Sequence, residues 1–133
     1  MKSYTDLEQS KKLAEILPHD TADGTWKRIA IAGINLDVPE EQQYFHDGDT
    51  SFAFYIGVGL PSWSLAALLN YLREIDFFPS IEADEHGVTM TVYYYDEEEG
   101  KLLNPVHDIT TEADNFVDAC YEMIIKLHES KIL

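Results

Sequence analysis

Residues 88–95, "VTMTVYYY", constrain the fold more than any other stretch of the chain. Val88, Met90, Val92 and Tyr94 alternate with Thr89, Thr91, Tyr93 and Tyr95. A period of two puts the two sets on opposite faces of a β-strand. The first set is the more apolar, which predicts that it lies against helices. The second set then lies on an open face of the sheet, beside the acidic turn "DEEE" at 96–99. Glu85-His86-Gly87 precedes the strand and predicts a hairpin turn closing "SIEAD" onto it. Beyond the acidic turn, "KLLNPVH" reads as an edge strand, demoted by Pro105, which has no backbone N–H to give a ladder.

The helices that must cover such a sheet are visible as stripes. Ala113, Phe116, Val117, Cys120, Ile124 and Leu127 form the strongest helical stripe, so a helix is predicted from a Thr110 or Thr111 cap to about Glu129. Leu65, Leu68, Leu69, Leu72 and Ile75 recur at i, i+3, i+4 and i+7, predicting a helix from Trp63 to about Ile75 with Ser62 as its cap. Near the start, Thr5 and Glu8 have the spacing of a capping box. A helix follows, carrying Leu7, Leu13, Ala14, Ile16 and Leu17, and it stops before Pro18. "PHDTADG" is a loop.

Two further strands lie between the first two helices. "TWKRIAIAGINL" (25–36) is apolar on both faces, as expected near the middle of a sheet. "SFAFYIGVGL" (51–60) has Phe52, Phe54, Ile56 and Val58 on one face and mostly small residues on the other. Residues 37–50 form a long acidic connection between them. The resulting order is α-β-β-α-β-β-β-α. With one strand-helix-strand unit and several hairpin-like pairings, the expected class is α+β: one domain over residues 1–133, with helices covering a mainly antiparallel sheet. A chain of 133 residues has room for one such domain, and 45% hydrophobic residues suffice for a core.

Charge limits the partners. The chain holds 25 acidic and 9 basic residues, a formal net charge of −16. From Ile29 to Gly100 there are 14 acids against Arg73 alone. Such a surface repels nucleic acid and anionic lipid, since phosphate binding needs Lys and Arg. It attracts a basic protein surface and speeds that encounter. One cysteine excludes an internal disulfide framework and points to a reducing compartment. The first twelve residues lack an apolar core of a signal peptide. No apolar run reaches the roughly 20 residues of a membrane span. A soluble cytoplasmic protein is expected.

Few motifs carry chemistry. The order strand, Gly57-Val58-Gly59, helix suggests a phosphate cradle. However, the third position of a G-x-G-x-x-G fingerprint is Ser62, and Pro61 holds Leu60 extended. The alternation also continues through Gly57, so both glycines read as strand residues approached closely by another element, expected to be helix 63–75. Ser64 stands between Trp and Leu, without the glycines of a nucleophile elbow. His46-Asp47-Gly48-Asp49 lacks the ligand number and spacing of a calcium or zinc site. Cys120 lies on an apolar stripe and is expected to be a buried, inert thiol. No catalytic residue, cofactor site or metal site is therefore assigned.

Three segments, "LEQSKKLAEILP", "PSWSLAALLNYL" and "DACYEMIIKLHESKIL", together resemble a group of small proteins encoded by phages and mobile elements of gut bacteria. The resemblance covers about 40 of the 133 residues. It lies in helix caps and core stripes, so it implies a fold and not a chemistry. No residue's role is carried over from it. It implies an accessory protein of a mobile element, such as an inhibitor or an adaptor.

The expected function is a non-enzymatic acidic module that binds another protein. Its contact residues are expected to be Tyr93, Tyr95, Asp96, Glu97, Glu98 and Glu99, because tyrosines beside carboxylates offer rigid contact area with wet hydroxyls. Two alternatives come from other classes. One is a small enzyme or ligand-binding protein using the 44–50 loop and the Gly57–Gly59 strand face. The other is a DNA mimic that occupies a nucleic-acid-binding protein, for which Asp114, Asp118 and Glu122 supply acids at intervals of four along a helix.

Overall fold

A computed structural model describes residues 2–30, 44–46, 54–55, 59–103 and 110–131. The fold is α+β, and every strand pairing among these residues is antiparallel. The α-β-β-α-β-β-β-α order holds, with short strands added at 44–46, 60–62 and 110–113. The chain divides into two compact units, residues 4–64 and residues 65–133 with 1–3.

The first unit holds α1 (Leu7–Ile16), a 3-10 turn (His19–Thr21), β1 (Gly24–Ala30), β2 (Tyr44–His46), β3 (Phe54–Tyr55) and β4 (Leu60–Ser62). β1 is its hub and pairs with β2, β3 and β4. The α1 cap is displaced by one residue from the sequence expectation. Asp6, not Thr5, accepts from the Gln9 N–H at 2.8 Å, and the Gln9 side chain accepts from the Asp6 N–H at 3.0 Å. Thr5 is fully buried instead. Its N–H donates to the Trp63 carbonyl at 2.9 Å, and its Oγ1 accepts from the Trp63 N–H at 3.1 Å. A buried hydroxyl without partners is costly, so these bonds hold Thr5 inward and leave the cap to its neighbour.

Trp63 has no exposed surface, and its Nε1–H donates to Thr21 Oγ1 at 3.0 Å. Ser62, expected as a helix cap, is a buried residue of β4. The Ser64 N–H and hydroxyl both donate to the Asp23 carboxylate. Gly59 is approached closely, but by β1 and not by a helix. A Cβ there would strike Thr25 Cγ2 and stand 3.3 Å from the Trp26 carbonyl oxygen. Residues 31–36 of the first expected strand, and residues 51–53 and 56–58 of the second, including Phe52, Ile56, Gly57 and Val58, lie outside the described residues.

The second unit holds α2 (Leu65–Glu74), β5 (Phe77–Asp84), β6 (Gly87–Asp96), β7 (Lys101–Leu103), β8 (Thr110–Ala113) and α3 (Phe116–Glu129). β6 is central: β5 lies along one edge, while β8 and β7 share the other, opposite Val88–Thr91 and Tyr94–Asp96. α2 packs on β5, α3 packs on β6 and β8, and the two helices meet. Val88, Met90 and Val92 are buried on the helix side with Leu68, Leu72, Cys120, Met123, Ile124 and Leu127, as the alternation predicts. Burying side chains of this size contributes roughly 1.5–3 kcal/mol each, so this layer holds the unit together.

The start of α3 differs from expectation. Residues 110–113 pair with β6, which places Ala113 opposite Val88 rather than on a helical stripe. Asn115 caps the helix, accepting from the Asp118 N–H at 2.9 Å. Thr111 is buried and donates its hydroxyl to the Ala119 carbonyl at 3.0 Å. The edge strand expected at 101–107 is β7 over its first three residues, and Pro105 lies outside the described residues.

Candidate functional site: the outer face of the second sheet

The β5–β6 hairpin sets the site. Its turn is Glu85–His86, since Asp84 pairs with Gly87, and this fixes every row of the ladder out to Phe77 opposite Tyr94. Asp84 accepts from the His86 N–H at 2.7 Å and steadies the turn. Gly87 follows at φ +141°, a backbone region that L side chains rarely adopt. A Cβ at that position would also meet the Ala113 carbonyl oxygen at 2.7 Å.

Alternation then places four rows on the face away from the helices. At the turn end, Thr89 is flanked by Glu82 on β5 and Glu112 on β8. In the next row, Thr91 stands opposite Ser80. Phe78 stands opposite Tyr93, and Tyr95 follows two residues on. Phe78 is 42% exposed and Tyr95 53% exposed, among the few large apolar or aromatic side chains left so open in the described residues. Tyr93 is half-buried between them, and Glu82 and Glu112 are exposed.

The acidic turn closes the other end of this strip. Asp96 accepts from the Glu98 N–H at 2.9 Å and the Glu99 N–H at 3.3 Å. The Gly100 N–H donates to the Asp96 carbonyl at 2.7 Å. Asp96 therefore shapes the turn, while Glu97, Glu98 and Glu99 are its exposed charges. Glu99 faces Lys101 at 3.4 Å, a solvated pair of little energetic weight. At the opposite end, a cleft of about 320 Å3 is lined by Asp84, His86, Thr89, Glu112 and Asp114.

Thus Tyr93 and Tyr95 share one face with Phe78, which sequence reasoning missed. The hairpin turn held the signal. A two-residue turn at 85–86 puts residue 78 opposite residue 93, whereas the strand expected from the sequence begins two residues later, at Ser80.

The other candidate chemistries fare differently. Cys120 is fully buried on α3, and burial pushes its thiol up to about 12. Burial also raises the Tyr71 hydroxyl above its ordinary value. Of the 44–50 loop, residues 44–46 form β2, while Asp47, Gly48 and Asp49 lie outside the described residues. Among the described residues, no group of three or more His, Cys, Asp or Glu side chains is placed to share a metal ion. Of the three acids expected in a row along one helix, Asp118 and Glu122 lie within α3 and Asp114 does not. Asp114 precedes α3, and the Asp118 carboxylate accepts from Lys2 Nζ at 2.6 Å and Asn115 Nδ2 at 2.8 Å. Among the described residues, no helix is long and apolar enough to cross a membrane.

No family model matches the chain, and no curated protein or solved structure shows significant similarity to it.

Proposed function

We propose that this protein is a non-enzymatic, acidic interaction module that binds a basic protein surface. The observation that supports the reading most is the outer sheet face, where exposed Phe78 and Tyr95 lie between acidic groups. Aromatic side chains supply binding energy through buried area, and surrounding carboxylates steer a cationic partner. The net charge of −16 adds a long-range attraction for the same partners. In this reading Tyr93 and Tyr95 make contact, Glu97, Glu98 and Glu99 supply charge, and Asp96 holds their turn. The module acts in the cytoplasm as an accessory inhibitor or adaptor.

Affinity purification from host extract with the wild type and a Tyr93→Ala/Tyr95→Ala variant tests the reading. A basic protein should be retained by the wild type, released by 1 M salt, and absent from the variant eluate. The Debye length falls from about 10 Å at 0.1 M to about 3 Å at 1 M, so charge-steered binding must respond. Identical, salt-insensitive eluates from both proteins would refute it.

A further inference from the structure

We propose that the outer face of the β5–β8 sheet docks a single amphipathic α-helix of the partner, apolar along its middle and carrying Lys or Arg at both ends. The inference rests on the basic-partner reading above and goes further by naming the partner's shape and charge pattern. Charge complementarity is its first support. Acids border the aromatic strip at both ends and not at one: Glu82 and Glu112 flank Thr89 at the turn end, and Glu97–Glu99 lie beyond Tyr95. Between them the face carries Ser80, Thr91, Phe78 and Tyr93 without a charge.

The dimensions favour a helix. Six residues separate Thr89 from Tyr95, or about 20 Å along a strand. A helix spans that length in about 13 residues. Neighbouring strands are about 4.8 Å apart, so the three strands at the acidic row cover about 10 Å, the width of one helix. The cleft beside Thr89 and Glu112 gives one cationic end a recess, and the Glu97–Glu99 turn takes the other. A uniformly basic coil would match the acids but leave Phe78 and Tyr95 in water.

The test uses two synthetic 16-residue peptides of identical Ala, Leu and Lys composition. One has leucines on a single helical stripe with lysines at both ends, and the other is shuffled. Binding to the full chain is read by fluorescence anisotropy, and the contact surface by amide chemical shifts. The striped peptide should bind at least tenfold more tightly than the shuffled one. Its shifts should concentrate at residues 78–82, 89–99 and 112. Phe78→Ala/Tyr95→Ala should lower that affinity at least tenfold, with the free protein's amide spectrum otherwise retained. Glu82→Gln/Glu112→Gln should weaken binding less and flatten its salt dependence. Equal binding of both peptides would overturn the helical occupant while leaving the basic-partner reading in place, and shifts confined to another surface would overturn the docking face together with the Tyr93 and Tyr95 contacts. Failure of both peptides to bind even at low salt would overturn both.

Discussion

Thr5 shows how a single residue is claimed by the interior. Its hydroxyl accepts from the Trp63 N–H and lies 2.8 Å from the Ser10 hydroxyl, while its carbonyl accepts from Trp26 Nε1–H at 3.1 Å. Thr5→Val keeps the shape but leaves the buried Trp63 N–H without that acceptor. The expected cost is about 1–3 kcal/mol, read as a lower urea midpoint at unchanged slope. Cys120 makes a second prediction. Its thiol is raised by burial from an ordinary value of about 9 to about 12. Below pH 9 both the folded and unfolded chains hold the proton, so it adds no pH dependence. Between pH 9 and 12 the unfolded chain loses the proton first, and stability falls as pH rises. The slope from this group is at most about 1.4 kcal/mol per pH unit. Denaturant titrations across that window should show a shallower fall in Cys120→Ala. The native thiol should also react with Ellman's reagent far more slowly than the denatured one.

At the scale of elements, the hairpin turn decides which side chains meet on the outer face. Gly87 combines φ +141° with a carbonyl 2.7 Å from where a Cβ would stand. Gly87→Ala should therefore destabilise the protein by about 2 kcal/mol or more, measurable by denaturant unfolding. A loss under about 0.5 kcal/mol would show that the turn is not held as described. Much of this level was legible in the sequence. The alternation of β6 needs only neighbouring residues, and so does the stripe of α3 from Val117 onward; Phe116, expected on that stripe, stands in the first turn of the helix and is 38% exposed. Element boundaries were less legible because they depend on competition. Thr110 and Thr111 are good caps by composition, but β6 offers residues 110–113 a ladder, and Asn115 inherits the cap. Ser62 lost its cap in the same way, to pairing with Gly24 on β1.

At the scale of the whole molecule, 25 acids against 9 bases leave net self-repulsion in the folded chain. Screening should relieve it. The melting temperature should rise as sodium chloride goes from about 0.05 to 0.5 M, a range over which the Debye length shrinks severalfold. A flat or falling melting temperature would show that the acids are spaced widely enough not to repel. The same surplus carries the expectation of a basic partner, since it is a property of composition and no folding changes its sign.

What the sequence alone determined is what depends on local period or on sums: the two faces of β6, the buried stripe that includes Cys120, the α+β class and the acidic balance. Which distant residues stand side by side was set by the pairing of strands and helices in the folded chain. It placed Phe78 beside Tyr93, set Glu82 and Glu112 on either side of Thr89, and brought β1 rather than a helix against Gly59. It also separated the acids by task, with Asp96 bonding its own turn, Asp118 bonding Lys2 and Asn115, and Glu97 to Glu99 left exposed. The physical reason is register. A period says which way a side chain points, but its neighbours across a sheet follow from the turn that closes the ladder, and its duties follow from whichever hydrogen-bond partner is most costly to leave unpaired.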